Sequence, residues 1–304
     1  MMDVSHAIQR PQRLPAPGAL LELLKPVTWF PPMWAFSCGV IASGRPIVGE
    51  RAWTLALGIG LTGPLVCATS QAVNDWFDRH VDAINEPHRP IPSGRIPGRW
   101  GLYVAILWTA ISLGVAVLLG TVGLLATGIA LLLAWMYSAP PFRLKANGWW
   151  GNAAVGFTYE GLAWVTGTAV ALGGAVPPAA VLMLAALYSL GAHGIMTLND
   201  FKAIEGDQQF GIRSLPVRLG VSRAAWTACI AMIVPQLVVL GLLVSWARPG
   251  AALTIAALII AQLVLMARFV QAPRERALML SAFGVPFYVS GMMVAAFAVR
   301  GVTG

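Results

Sequence analysis

The sequence predicts an all-α integral membrane protein, a bundle of nine transmembrane helices. Two observations carry this prediction. Of the 304 residues, 58% are hydrophobic and only 11% are charged, whereas soluble domains carry about 25% charged residues. Apolar stretches also recur at the length of about 20 residues that a helix needs to cross a bilayer core. The lipid bilayer is therefore the expected surrounding of most of the chain.

The chain divides into a polar lead-in over residues 1–25 and a single transmembrane domain over residues 26–304. The lead-in carries several Pro and Arg residues and lacks the cleavage site of a secretory signal, so we interpret it as a cytoplasmic segment. In chain order, the nine predicted spans cover residues 27–43, 54–78, 102–119, 122–139, 152–172, 178–200, 225–246, 251–269 and 279–299.

The basic residues predict how the spans are oriented. Most of the 20 Lys and Arg residues fall in the lead-in or follow the second, fourth, sixth and eighth spans, and the exceptions are Arg45, Arg51, Arg248 and Arg300. Because basic flanks are retained in the cytoplasm, we expect a cytoplasmic N-terminus. The basic residues that give the chain its net charge of +8 would then face anionic membrane lipid. This charge therefore requires no nucleic acid partner.

Acidic residues are concentrated at the ends of two predicted spans. A carboxylate within a membrane helix costs about 2.5–3.5 kcal/mol on insertion scales, so such clusters indicate function. The first cluster comprises Asp75, Asp78, Asp82 and Glu86, and the second comprises Asp200, Glu205 and Asp207.

The first acidic window reads NDWFDRHVDAINEPHRPIPSGRIPG and begins on the second span. At about 100° per residue, four of its polar side chains share one helix face. They are Asn74, Asp75, Asp78 and Asp82. The prolines that follow end the helix, and we expect the resulting loop, with Arg89 and Arg95, to fold back over the acids.

The second window, NDFKAIEGDQQFGIRSLPVRLG, starts with the same Asn-Asp pair, which indicates an internal duplication. Asp200 and Asp207 are seven residues apart, so on a continuous helix they would share a face, whereas Glu205 would point away. We therefore expect Asp200 and Asp207 to be ligands, and Arg213 in the following basic loop to bind phosphate.

Two opposed carboxylate faces predict a divalent-metal site. Clustered carboxylates repel one another and need cations to stay ionised in apolar surroundings. Ligand sets made only of oxygen favour magnesium or calcium, and Mg²⁺ keeps open positions for substrate phosphates. The sequence thus predicts a Mg²⁺ clamp for a diphosphate, and the alternative is a solvated acidic cap on two helix ends.

A third polar segment, YSAPPFRLKANGWWGN, follows the fourth span on the same side. Its Tyr137, Arg143 and Lys145 are candidates for stabilising a diphosphate leaving group through charge-assisted hydrogen bonds. An ordinary basic cytoplasmic flank is the alternative for the two cations. Glu160, in the fifth span, is expected to make either an interhelical hydrogen bond or a substrate contact.

At these residues the sequence resembles the UbiA superfamily of intramembrane prenyltransferases. Asn74, Asp78 and Asp82 match its NDxxDxxxD motif. In its second motif, DxxxD, Ala203 occupies the first position and Asp207 the last, so we expect Asp200 to supply the other carboxylate. Within the superfamily, INEPHRPIPSG, YSAPPFRLK, FTYEGL and NDFKAIEGD look like the chlorophyll synthase family, over residues 20–300, and most like its bacterial branch.

The resemblance implies esterification of the bacteriochlorophyllide propionate by geranylgeranyl or phytyl diphosphate, with release of pyrophosphate. It also implies a location in the bacterial inner membrane, in its photosynthetic or intracytoplasmic part. It implies Mg²⁺ and association with pigment-pathway or photosystem-assembly proteins. The catalytic residues would be Asn74, Asp78, Asp82, Asp200, Asp207 and Lys145, the metal ligands Asp75, Asp78, Asp82, Asp200 and Asp207, and the substrate-binding residues Arg89, Arg143, Tyr137, His193 and Arg213.

Several alternatives stay open at this stage. His193, in the sixth span, is expected either to bond a neighbouring helix or to contact the tetrapyrrole. The acceptor could also be a quinone precursor or haem. A divalent-cation transporter would carry its acids near the bilayer midplane rather than at two cytoplasmic ends, and a pigment-binding scaffold would need no diphosphate clamp.

Overall fold

The computed structural model describes residues 14–300 and 302, so the expectations for most of the lead-in lie outside the described residues. Over the described part, the chain is helical, and its one β-bridge is isolated rather than part of a strand. The predicted all-α class is confirmed. Helical segments lie at each of the nine predicted spans.

The helices of the first half begin with α1 (Pro17–Leu24) and α2 (Phe30–Ala42). Helix α3 comprises Glu50–Gly60, the π-helical stretch Leu61–Cys67 and Ala68–Asn85. Next come α4 (Trp100–Ala116) and α5 (Gly120–Ser138). Helix α6 comprises Gly148–Gly156, the π-helical stretch Phe157–Leu162 and Ala163–Ala171.

The second half begins with α7 (Ala179–Asp200), followed by the short helices α8 (Ile204–Gln209) and α9 (Leu215–Leu219). Helices α10 (Val221–Ser245) and α11 (Pro249–Phe269) follow. Helix α12 comprises Pro273–Met279, the π-helical stretch Leu280–Gly284 and Val285–Val299.

Six helical stretches of the described chain are long and apolar enough to cross a membrane, and α2 is shorter. One of the six, Trp100–Ser138, contains a reversal at Gly120, where φ is 73°. Trp135 Nε1 donates to Thr109 Oγ1 at 3.1 Å, although a straight helix would hold these residues about 39 Å apart. The stretch is therefore the hairpin of α4 and α5. A total of nine crossings stays a prediction.

Glycines allow α2 and α6 to pack backbone against backbone. A Cβ at Gly39 would lie 2.0 Å from the Trp164 carbonyl oxygen, and one at Gly167 would lie 2.3 Å from that of Phe36. Thr168 Oγ1 donates to the Gly39 carbonyl across the same interface at 2.8 Å. Close approach through small residues is typical of helices that associate in lipid, and it fixes α2 beside α6.

The second acidic window departs from the expected continuous helix. Helix α7 ends at Asp200 and α8 begins only at Ile204, so the prediction that Asp200 and Asp207 share one helix face is wrong. Tertiary packing accounts for the break, because Phe201 and Ile204 are both buried. The Phe201 ring packs edge-on against Phe269 with centroids 5.4 Å apart.

Candidate active site

The polar segments that follow α3, α5 and α7 meet at one end of the bundle. Lys145, after α5, forms an ion pair with Asp78 of α3. The segment after α5 also pairs with the segment after α8, because Gly148 N–H donates to the Arg213 carbonyl and Arg213 N–H to the Ala146 carbonyl, both at 2.9 Å. The three polar sequence segments therefore form one site.

The loop after α3 folds back over the first acidic motif. Arg89 Nη1 lies 2.9 Å from Asp82 Oδ2 and 3.4 Å from Asp75 Oδ1, and Arg89 also pairs with Glu86. Burial opposes ionisation of Arg89, but Asp75 and Asp82 outweigh it and hold the pKa of the guanidinium above its usual value. Arg89 thus neutralises one side of the motif.

A second cation on this motif, Lys25, comes from the N-terminal helix. Its Nζ lies 2.6 Å from Oδ1 of Asp75, which is only 1% exposed. Leu23 and Leu24 of α1 belong to the same buried cluster as Ala72 and Val73, which directly precede the motif on α3. Sequence analysis missed Lys25 because it precedes the first span, and its left-handed backbone (φ 47°) is visible only in the structure.

Asp78 faces the segment after α5. Besides the ion pair with Lys145, its Oδ1 lies 3.7 Å from Arg143 Nη2. Burial lowers the pKa of Lys145, and the Asp78 carboxylate acts in the opposite direction. Asn147 stabilises this segment by accepting hydrogen bonds from Trp149 N at 3.0 Å and Arg218 Nη1 at 3.2 Å. The segment presents its two cations to Asp78.

The second motif contributes Asp200 and Asp207 from opposite sides of the helix break. Asn152 Nδ2 donates to Asp200 Oδ2 at 3.3 Å and to Thr197 Oγ1 at 3.2 Å. Burial raises the pKa of Asp207, and a hydrogen bond with Ser214 acts in the opposite direction. Both motifs border the segment after α5, because Lys145 pairs with Asp78 and Arg213 N–H donates to the Ala146 carbonyl.

The remaining predicted residues occupy different positions around this site. Tyr137 lies in the last turn of α5, next to Ser138, whose Oγ accepts a hydrogen bond from Asn74 Nδ2 at 3.2 Å. The Arg213 side chain is exposed, although its backbone joins the two segments. Asn152 and Ser138 were missed by sequence analysis, because uncharged polar residues in a span give no distinctive signal.

His193 lies apart from the acids, between α6 and α7. Its Nε2 is 3.3 Å from the Trp149 carbonyl oxygen, and the two rings pack with centroids 5.4 Å apart. The interhelical hydrogen bond expected of His193 is thus present, and a tetrapyrrole contact stays a prediction. Glu160 is 5% exposed, and its Oε2 has no hydrogen-bond partner among the described residues.

The donor chemistry of the acidic motifs fits a divalent metal ion. The carboxylates supply only oxygen ligands, which hard divalent cations prefer, and Asp75 Oδ2 is buried without a hydrogen-bond partner in the part of the chain that the structure describes. As the side chains are placed, no three His, Cys, Asp or Glu residues of the described chain converge in a metal-binding group. The acids of the first motif instead pair with lysine and arginine.

An apolar cleft lies in the bundle between α2, α5 and the π-helical stretches of α3 and α6. Thr62, Val66 and Tyr159 are among the residues that line it. The Tyr159 hydroxyl is 2.7 Å from Ser70 Oγ, about two helical turns before Asp78 on α3. The cleft therefore lies before the acidic motif along α3.

Comparison with known proteins agrees with this arrangement. Residues 29–298 match the UbiA prenyltransferase family. The chain is 54% identical to the bacteriochlorophyll synthase 33 kDa chain of Cereibacter sphaeroides over 96% of both chains. It is 41% identical to the chloroplastic chlorophyll synthase of Arabidopsis thaliana over 91% of this chain and 73% of that one.

The fold also matches solved structures. A UbiA homolog from Archaeoglobus fulgidus, bound to DMAPP and Mg²⁺, superposes with a TM-score of 0.68 over 93% of this chain and 99% of that one, at 23% identity. This likeness concerns the fold, and the family match extends over nearly all of the helical bundle. The protein is a multi-pass membrane protein and belongs to the UbiA family of prenyltransferases.

Proposed function

We propose that this enzyme is a bacteriochlorophyll synthase that joins a geranylgeranyl or phytyl group to the propionate of bacteriochlorophyllide and releases pyrophosphate. The observation that carries the proposal is the 54% identity to a bacteriochlorophyll synthase chain over 96% of both proteins. The acidic motifs and their surrounding cations support it, because a diphosphate needs a charge-neutralising site of this kind.

The acidic motifs are proposed to hold Mg²⁺ against the diphosphate. Divalent metal use is a property of the family, and Mg²⁺ suits a site built from carboxylates and phosphate oxygens. When bound, the metal would neutralise charge on the leaving group. We propose that both motifs supply metal ligands: Asp75, Asp78 and Asp82 from the first, and Asp200 and Asp207 from the second. Asn74 would orient the ligands of the first motif.

The cations around the acids are proposed to bind the diphosphate. Lys145 and Arg143 sit beside Asp78, and Arg89 sits beside Asp82. Charge-assisted hydrogen bonds from these groups would strengthen as the allylic C–O bond breaks and negative charge grows on the leaving oxygen. We propose that Tyr137 and Arg213, which lie in the neighbouring segments, also bind the diphosphate.

The acceptor requires little activation. A propionate has a reference pKa near 4, so it is ionised at pH 7 and can attack the allylic carbon without a general base. The new C–O ester bond forms as the C–O bond to the diphosphate breaks. The prenyl tail would extend from the acidic site into apolar surroundings, away from water.

His193 and Trp149 are proposed to contact the tetrapyrrole. The Trp149 indole, 41% exposed, lies against the imidazole and offers a flat surface for a macrocycle. His193→Phe should then weaken pigment binding and leave prenyl diphosphate binding nearly unchanged. If the hydrogen bond to Trp149 is its only role, the substitution should instead lower thermal stability and disturb both substrates alike.

The proposed reaction is tested with the purified enzyme, labelled geranylgeranyl diphosphate and Mg²⁺. Parallel reactions would contain bacteriochlorophyllide, haem or a quinone precursor as the acceptor. Ester formation on bacteriochlorophyllide alone is the expected result, and transfer only to another acceptor would overturn the assignment. Omitting divalent metal should abolish product formation, and comparing Mg²⁺ with Mn²⁺ and Ca²⁺ would identify the metal.

The cellular setting is also a proposal. We place the N-terminus and the acidic site on the cytoplasmic side of a photosynthetic membrane, because the basic segments gather at that end of the bundle. Residues 26–304 would form one transmembrane domain, with residues 1–25 as a cytoplasmic segment. Cysteine labelling from each side of sealed vesicles would test the orientation, and affinity purification would test association with pigment-pathway proteins.

A further inference from the structure

A buried amide near the start of α6 contacts the second acidic motif. Asn152 is 4% exposed, and its Nδ2 donates to Asp200 Oδ2 at 3.3 Å and to Thr197 Oγ1 at 3.2 Å. An asparagine amide nitrogen carries two N–H donors, so one is available for each acceptor. Asn152 therefore holds the Asp200 side chain from a neighbouring helix.

Asp200 depends on such a contact because of its place in the chain. It is the last residue of α7, and α8 begins only at Ile204. On a continuous helix, the residues three and four positions further along would flank its side chain. The chain leaves the helix here instead, so the direction of the carboxylate is set by other elements, and α6 supplies a hydrogen bond through Asn152.

The packing of α6 on α7 brings the amide within reach. A Cβ at Gly156 would lie 2.7 Å from the Ser189 carbonyl oxygen, so the two backbones are in close contact there. Asn152 lies four residues before Gly156 and therefore on the same face of α6. Its short side chain can then span the gap to Thr197 and Asp200.

Thr197 determines which end of the Asn152 amide faces the acid. Thr197 is 0% exposed, and its Oγ1 donates to the His193 carbonyl at 2.9 Å. With its proton engaged, the hydroxyl can only accept from Asn152, and an ionised Asp200 carboxylate also only accepts. Both neighbours therefore require the amide nitrogen rather than the amide oxygen to point toward them.

We propose that Asn152 and Thr197 form a positioning pair that holds the Asp200 carboxylate in the direction needed to bind metal. This inference rests on the proposed function, because it takes Asp200 to be a metal ligand. Groups that hydrogen-bond a ligating carboxylate orient it, and loss of such a group lowers metal affinity by about 10–100-fold. Asn152 acts on Asp200 directly, and Thr197 acts through the Asn152 amide.

The test titrates the purified enzyme with the Mn²⁺ complex of pyrophosphate and follows bound Mn²⁺ by electron paramagnetic resonance. Thr197→Val keeps the size of the side chain but removes the hydroxyl that orients Asn152, so affinity should fall about tenfold. Thr197→Ser keeps the hydroxyl and should bind nearly as the wild type does. Asn152→Leu should lose at least as much affinity as Thr197→Val. Adding Thr197→Val to Asn152→Leu should weaken binding no further, because the two residues act as one unit.

Gln236→Leu is the matched control. Gln236 is also a buried amide that bonds a neighbouring helix, since it is 1% exposed and its Nε2 donates to Gln262 Oε1 at 3.1 Å. Its loss should lower the thermal stability, measured by tryptophan fluorescence, and leave binding of the Mn²⁺ complex unchanged. If Thr197→Val does not fold, the comparison of Asn152→Leu with this control decides.

Three results would overturn the inference. They are wild-type affinity in Thr197→Val, an equal loss of affinity in Thr197→Ser, and wild-type affinity in Asp200→Asn, since the pair would then position no ligand. A wild-type enzyme that binds the Mn²⁺ complex but transfers no prenyl group to bacteriochlorophyllide refutes the proposed function instead. The affinities of the variants still decide on the positioning pair in that case.

Discussion

Removing the Lys25 ammonium group should destabilise the protein through the carboxylate that it neutralises. Asp75 is only 1% exposed and the Lys25 side chain 22%, so Lys25→Ala would leave Asp75 with Arg89 at 3.4 Å, which it shares with Asp82. Loss of one partner from a buried ion pair costs about 3–5 kcal/mol. Because Arg89 remains, we expect Lys25→Ala to cost about 2–3 kcal/mol.

The assay is equilibrium unfolding of the purified protein in mixed micelles, followed by tryptophan fluorescence. Asp75→Asn removes the charge that Lys25 balances, so the two substitutions should couple by about 2 kcal/mol in a double-mutant cycle. Lys25→Gly should cost about 1 kcal/mol less than Lys25→Ala, since glycine adopts the left-handed backbone of residue 25 without strain. Arg95→Gln, in an exposed ion pair, should change stability little.

Two results would refute this reasoning. One is a Lys25→Ala variant as stable as the wild type, which would mean that the ion pair contributes nothing beyond the contact of Asp75 with Arg89. The other is that the changes in the free energy of unfolding caused by Lys25→Ala and Asp75→Asn are additive, which would show that the two charges do not interact in the folded protein.

Three further predictions concern the site and the packing around it. Asp78→Asn should abolish prenyl transfer while thermal unfolding stays cooperative, because it removes a proposed metal ligand and the partner of two cations. Asn152→Ala should weaken metal-dependent diphosphate binding about 10-fold, measured by calorimetry, because it removes the hydrogen bond that positions the Asp200 carboxylate. Gly39→Ala should cost about 1–3 kcal/mol in unfolding experiments, since a Cβ there meets the Trp164 carbonyl at 2.0 Å, whereas Gly60→Ala should be nearly neutral.

Each of these predictions has a contrary outcome. Normal turnover by Asp78→Asn at saturating metal would exclude the proposed ligand role. An unchanged metal dependence in Asn152→Ala would show that the neighbouring carboxylate needs no positioning. Equal stability of Gly39→Ala and Gly60→Ala would mean that α2 and α6 can separate at little cost.

The first acidic helix could be predicted from sequence because its information is local. The spacing of Asp75, Asp78 and Asp82 defines one helix face, and the prolines after Glu86 end the helix. The partners of these acids could not be predicted in the same way. Lys25 lies 50 residues from Asp75 and Lys145 lies 67 residues from Asp78, and only the folded bundle brings them together.

The second acidic motif shows the limit of helical periodicity. Asp200 and Asp207 are spaced as on a continuous helix, but the buried side chains of Phe201 and Ile204 draw the intervening turn into the core. The spacing of residues along the chain does not predict such tertiary packing. The second motif still borders the segment whose Lys145 pairs with Asp78, so the prediction that the two acidic windows lie at one site depended on the ends of the spans rather than on the helix face.

The π-helical stretch in α3 makes the orientation of the acidic face depend on residues far from it. A π-helical turn holds one more residue than an α-helical turn, so it changes the rotational phase of everything that follows. Rewinding Leu61–Cys67 as α-helix without deleting a residue would turn Asn74 and Asp78 by about 100° relative to the earlier half of the helix. Loss of the π-helical winding at constant length would misorient the active site as a whole, even though it leaves every catalytic side chain in place in the sequence.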